Sequence, residues 1–179
     1  MKHLCAAFVI SMSLWWCLKK IHHQRHKAHK GAQTRGYILQ QAMITLRNSH
    51  RDRMFTAAHE ADPAECCGLI GGSIDGQARS IYSLLNVALN TNVAYEAAPE
   101  DLFSAQRQMR ERGEELIAIY HSHPRSEAKP SETDARLAYY PHAVYFIISL
   151  AGPQPVMRAF RIFEREQRWH EVEYAIADE

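Results

Sequence analysis

Cysteine is scarce in this chain, and acid is nearly missing from its first third. Four cysteines occur in 179 residues: Cys5, Cys17 and the adjacent Cys66 and Cys67. Neighbouring cysteines are badly placed to bridge each other. No disulfide framework can be read, and a reducing compartment, the cytoplasm, is expected. A membrane-length apolar run is missing too. The longest candidate, Leu4 to Leu18, would span roughly 22 Å as a helix, short of the ~30 Å hydrocarbon core. A small-residue cleavage site is also lacking, since Trp15, Trp16 and Cys17 run into KKIHHQRHKAHK. No repeat or low-complexity stretch occurs after residue 43.

Charge divides what is there. Residues 1–53 hold ten Lys and Arg against one Asp, whereas residues 54–179 hold eleven against nineteen Asp and Glu. An acidic body excludes nucleic acid as its natural partner, because phosphate binding needs a positive surface. With 46% hydrophobic residues over its full length, the chain has a globular composition and fits one domain with an appendage. The chain therefore reads as an extension over residues 1–42 and a domain over 43–179. Three readings of the extension stay open: an over-extended translation start or dispensable basic tail, a membrane-proximal anchor, and a signal. In the anchor reading, the basic cluster after residue 18 keeps the domain in the cytoplasm. His22, His23, His26 and His29 read as part of a solvated basic tail.

Within the domain, Met54, Phe55 and Ala58 predict a helix over residues 48–61, ended by Pro63. ECCGLIGG reads as a buried strand running into glycines, DG at 75–76 as a turn, and ARSIYSLLNVA as a second strand. PEDLFSAQRQMRERG, with Pro, Glu and Asp at its start and Gly113 at its end, predicts an amphipathic helix. LIAIY (116–120) is a strand, SETDARLAYY a helix, and HAVYFIISL (142–150) a buried strand. VMRAFRIF and RWHEVEYAI alternate as half-exposed antiparallel strands do.

The strand LIAIY ends in His121-Ser122-His123-Pro124, and Asp134 comes eleven residues after His123. Residues i and i+2 of a strand point the same way, about 6.5–7 Å apart at the backbone, so both imidazoles can aim at one point. Asp134, in the first turn of the next helix, can supply a third ligand to a zinc ion. Ser131 and Asp134 are equally good helix caps, so that alternative stands. Glu65 precedes an apolar strand, where an acid costs free energy unless solvated or employed. Hydrolysis at zinc needs such a base to take a proton from water and return it to the leaving amine. Cys66 and Cys67 must face opposite ways on a strand, so at most one faces the metal side. Both read as core thiols.

Together these residues resemble the JAMM (MPN+, Mov34/PAD-1) zinc metallopeptidases, whose pattern is a glutamate, then H-S/T-H-P, then S-x-x-D. PAECCGLIGG, YEAAPEDLF, IAIYHSHP, KPSETDARLA and VMRAFRIF extend the likeness to small bacterial members over about residues 43–176. The resemblance implies an α/β fold of MPN type, similar to cytidine deaminases: a curved mixed sheet with helices on both sides. It implies zinc held by His121, His123 and Asp134, Glu65 as general acid/base, and Ser131 helping to hold the oxyanion. It also implies a peptide or isopeptide bond as substrate, at the C-terminal Gly-Gly of a ubiquitin-like sulfur-carrier protein, with release of cysteine from a carrier adduct as one known type. Arg125 and Ser126 come directly after HSHP, in a loop that borders the site in relatives, and they leave substrate preference open. The short spacing between the motif elements leaves little room for the insertions of polyubiquitin-specific relatives. The alternatives are a noncatalytic MPN scaffold and a hydrolase of small-molecule amides.

Overall fold

The computed structural model describes residues 42–163 and 168–178. Apart from residue 42, the extension lies outside the described residues, together with its apolar segment 4–18 and its histidines. In chain order the elements are β1 (Ile44–Arg47), α1 (Asn48–Ala61), β2 (Cys67–Gly72), β3 (Ala78–Leu84), α2 (Pro99–Glu111) and β4 (Glu115–His123). After these come α3 (Glu132–Arg136), β5 (Val144–Ser149), β6 (Val156–Phe163), β7 (Arg168–Val172) and β8 (Tyr174–Ala177). No helix among the described residues is long and apolar enough to cross a membrane.

Six strands form one sheet in the order β3-β2-β4-β5-β6-β7. Only β4 and β5 run parallel, and the other neighbours are antiparallel. On one face Ile70, Tyr120, Phe146 and Ile148 pack with Ile44, Leu46, Met54 and Ala58 of β1 and α1. On the other face Cys67, Leu69, Ile119, Tyr145 and Ile147 pack with Leu102, Ala105 and Met109 of α2 and with Ala135 of α3. The expected mixed sheet with helices on both sides is what forms. Burial on both faces explains why β5 reads as an unbroken apolar run rather than an alternating one.

A bulge in β4 sets the phase of its histidine end. Ile70 pairs with Ala118 but Gly71 pairs with Leu116, leaving Ile117 as the extra residue. Ile117 and Ala118 both face the α1 side as a result, and Leu116 and Ile119 both face the α2 side. Alternation then resumes and puts His121 and His123 on the α2 side with Ile119. Helix α2 is fixed at both ends. Glu100 and Asp101 lie in its first turn beside Pro99, and the Asp101 carboxylate accepts the Leu85 N–H at 2.9 Å. Gly113, at φ +65°, turns the chain out of the helix.

Three expectations need correction. RWHEVEYAI is two strands, not one: β7 closes the large sheet, the chain breaks at Glu173, and β8 pairs parallel with β1. Its apolar residues find more burial there, because Tyr174 meets Phe146 edge to face at 5.1 Å and donates from its hydroxyl to the Met157 carbonyl at 3.1 Å. The first residues of the domain form β1, a strand not expected from sequence. The helix over SETDARLAYY stops at Arg136, because Pro141 disfavours helix before it and the Tyr140 N–H is taken by the Tyr145 hydroxyl at 3.1 Å.

Candidate metal centre

The strand that carries the histidines runs through His123, and Pro124 follows its last residue. His121 and His123 are buried, and their Nε2 atoms approach to 3.1 Å. Asp134 comes from the first turn of α3. Its Oδ1 lies 3.3 Å from His121 Nε2 and its Oδ2 3.4 Å from His123 Nε2. The three groups form one cluster of potential ligand atoms.

Local structure aims each group. Ser131 is the N-cap of α3, and its Oγ accepts the Asp134 N–H at 3.1 Å. The Ser131 N–H and hydroxyl both donate to Asp134 Oδ2, at 2.7 and 2.6 Å. The cap expected from sequence is therefore real, and it also orients the carboxylate. His123 Nδ1 lies 2.9 Å from the Glu127 carbonyl. A carbonyl can only accept, so Nδ1 carries the proton and Nε2 presents its lone pair. The His121 ring is stacked against Tyr95 at 4.5 Å between centroids and 25° between planes. Its buried Nδ1 has no hydrogen-bond partner among the described residues.

Such a cluster suits a divalent cation. A tetrahedral ion with bonds of about 2.0–2.2 Å holds its ligands roughly 3.3–3.6 Å apart, close to the 3.1–3.4 Å spacings observed. Two imidazole nitrogens and one carboxylate oxygen are also the donor types zinc takes at a site with an open position. Electrostatics agree with the geometry. Burial alone would raise Asp134, but the two imidazoles and the Ser131 hydroxyl hold it well below the usual carboxylate range. Burial alone would lower His123, but Asp134 and the Glu127 carbonyl outweigh it and raise the ring above its ordinary value.

Glu65 lies two residues before the start of β2, near enough to the site for the charges of His123 and Asp134 to act on it. Cys67 pairs with His121, and the next link ties Cys66 to Ser122 twice. The Cys66 N–H donates to Ser122 Oγ at 2.8 Å, and the Ser122 N–H donates to the Cys66 carbonyl at 3.1 Å. Glu65 is 7% exposed. Burial pushes its carboxyl up to about 7, with His123 opposing and Asp134 adding to the rise. The two cysteines divide between the faces as adjacent strand residues must: Cys66 joins the α1-side core and Cys67 the α2-side core. Burial pushes the Cys67 thiol up to about 12, which keeps it a protonated core group.

Sequence reasoning missed Tyr95 and the Glu127 carbonyl. Tyr95 stood in plain view within YEAAPEDLF, but a loop residue has no periodicity to give away what it faces. A backbone carbonyl gives no residue-type signal at all.

Comparison with known proteins places the chain. The model of the prokaryotic homologs of the JAB domain matches residues 47–163. A desampylase of Haloferax volcanii is 36% identical over 116 residues, covering 61% of this chain and 82% of the relative. A CysO-cysteine peptidase of Mycobacterium bovis is 28% identical over 123 residues, covering 68% and 84%. The solution structure of a Desulfitobacterium hafniense protein superposes with TM-score 0.68 at 35% identity, over 76% of this chain and 94% of that one. The chain belongs to the prokaryotic JAB-domain family, the small bacterial type of JAMM/MPN hydrolase.

Proposed function

We propose that the chain is a zinc-dependent peptidase that hydrolyses the bond between the C-terminus of a ubiquitin-like sulfur-carrier protein and whatever is joined to it. The observation that carries this reading is the convergence of His121 Nε2, His123 Nε2 and Asp134 beside a buried Glu65. His121, His123 and Asp134 would hold the ion. Zinc, when bound, polarises the scissile carbonyl and brings water toward its neutral-pH ionisation.

The chain's own groups do the rest. Glu65, its carboxyl raised toward neutrality by burial, takes the proton from the attacking water and returns it to the departing amine, a task that favours a pKa near the working pH. Glu127 holds the proton on His123 Nδ1, so Nε2 stays a lone pair. Ser131 fixes Asp134 from an exposed position at the helix start. We assign its hydroxyl to the carbonyl oxygen of the substrate as that oxygen gains charge: the single hydroxyl proton would turn there from Asp134, while the Ser131 N–H keeps its bond to Asp134 Oδ2.

Two relatives lend the substrate class. One is named for removal of a protein modifier and the other for a carrier–cysteine linkage. Carried to this chain, the substrate is a carrier ending in Gly-Gly, with cysteine or a peptide attached. The test offers the zinc-loaded full chain such a carrier alongside a free cysteinyl dipeptide. Cleavage of the carrier adduct is expected, with the dipeptide left largely intact. Preference for the dipeptide would instead make the protein a small-molecule amidase, and cleavage of neither would make it a scaffold.

A further inference from the structure

Outside the ligand group, one side chain bonds both the Glu65 backbone and the peptides around Tyr95. Asn86 comes just after β3, and its carboxamide is fully satisfied. Nδ2 donates to the Glu65 carbonyl at 2.9 Å and the Ala94 carbonyl at 3.0 Å. Oδ1 accepts from the N–H groups of Ala88 and Glu96, both at 3.0 Å. Ala94 and Glu96 flank Tyr95, whose ring lies against His121. The Glu65 N–H donates to the Thr91 carbonyl at 2.7 Å. Both ends of the Glu65 backbone are thereby tied to the loop over residues 85–98.

Part of that loop is packed, since Tyr95 and Ala97 lie against the α2-side core and Ala98 is buried, but its outer part is not. Leu85, Val87, Leu89 and Val93 are 63%, 45%, 84% and 67% exposed. Hydrophobic burial of these four residues cannot fix the outer part of the loop, where polar bonds do it instead. Backbone pairing helps where Asn86 bridges to Ala97, with the Val87 N–H on the Glu96 carbonyl and the Ala98 N–H on the Leu85 carbonyl, both at 2.8 Å, and at the turn where the Val93 N–H reaches the Asn90 carbonyl at 3.3 Å. Among the described residues, only the Asn86 carboxamide reaches the Glu65 carbonyl and both peptides around Tyr95 at once.

We infer that Asn86 is a positioning residue of the metal centre: through Ala94, Glu96 and Tyr95 it sets the plane of the His121 ring, and through the Glu65 carbonyl it sets the distance from that ring to the proposed base. The inference rests on the zinc-peptidase reading above. Supports behind metal ligands commonly alter metal affinity 10- to 100-fold when removed.

The test measures Zn²⁺ affinity by competition with a chromophoric chelator, the visible spectrum of the Co²⁺-loaded protein, and kcat and KM on the carrier adduct. Asn86→Ala is expected to weaken zinc about 10- to 100-fold, alter the Co²⁺ bands, and lower kcat with KM little changed. Tyr95→Phe, which keeps the ring, should keep wild-type affinity, whereas Tyr95→Leu should not. Asn86→Ala in the Tyr95→Leu background should weaken zinc less than it does alone, since residues acting through one contact are non-additive. If Asn86→Ala does not fold, Asn86→Asp keeps both accepting bonds but faces two carbonyls with an oxygen, and should show the same losses. Asn90→Ala, exposed on the same loop, is the unaffected control. Wild-type affinity, spectrum and kcat in Asn86→Ala or Asn86→Asp would overturn the inference. A wild type that binds zinc but cleaves no carrier refutes the substrate reading while the affinity and spectral arms still judge Asn86. A wild type that binds no zinc refutes both.

Discussion

Replacing Glu65 with glutamine should make the metal-free protein more stable at pH 8 and leave it unchanged near pH 4.5. The carboxyl sits near 7 in the folded chain against 4.5 in the unfolded one, chiefly because burial disfavours its charge. A group with a raised folded-state pKa binds its proton more tightly when folded. Its contribution is therefore fully present below about pH 4.5 and lost as pH rises through about 7. At about 1.36 kcal/mol per pKa unit, a rise of that size corresponds to roughly 3 kcal/mol. Screening at the partly wetted edge of the site trims this to about 2–3 kcal/mol. Glutamine has nearly the same shape and no charge, so it escapes that cost. Asp134 and His123 also titrate in both proteins, so the difference reads Glu65 together with its coupling to them. Urea unfolding in the presence of a strong chelator, at pH values from 5 to 8, measures it. A difference that is flat with pH, or that grows toward acid, would refute the burial argument. In the zinc-loaded protein the same variant should be stable but inactive, because an amide cannot carry the proton.

Individual contacts give further expected outcomes. His123→Ala should purify with well under one zinc per chain, since one of three ligands is lost; an unchanged zinc content by elemental analysis would remove His123 from the ligand set. Ser131→Ala removes the side-chain N-cap of α3 and the hydroxyl donor to Asp134, so it should cost about 1 kcal/mol in urea unfolding and lower kcat more than it raises KM. Gly68→Ala would push a methyl group into the Tyr120 ring and the Tyr82 carbonyl, so about 1–3 kcal/mol of stability should be lost, visible as a lower urea midpoint.

How much of the fold and site was legible depended on whether the information was local. VMRAFRIF matches β6 residue for residue, because AGPQP marks its start, but the strand is buried on both faces rather than half-exposed: Met157 and Ala159 join the α1-side core, Phe160 and Ile162 the α2-side core. The HSHP strand end and the S-x-x-D helix start were readable for the same reason: each lies within one element, and the short loop between them limits where Asp134 can go. Glu65 is 56 residues upstream of His121, so its place beside the imidazoles emerged only from combining motifs. What stayed hidden is non-local. Tyr174–Ala177 and Ile44–Arg47 pair across nearly the whole domain, and four-residue strands carry no sign of their partner. The bulge at Ile117 is likewise invisible, because it exists only in the register against Gly71. Asn86 and Tyr95 lie in a loop, where no period relates a side chain to what it faces.

The decisive experiment strips the full chain of metal and tracks the intact mass of a ubiquitin-like carrier bearing a C-terminal peptide or cysteine. The stripped protein should leave that mass unchanged. Restoring one equivalent of Zn²⁺ should remove the appended group, with cleavage after Gly-Gly, whereas zinc-loaded Glu65→Gln should cleave nothing. Cleavage that proceeds without metal, or equally well in that variant, would contradict a zinc-dependent mechanism with Glu65 as its base.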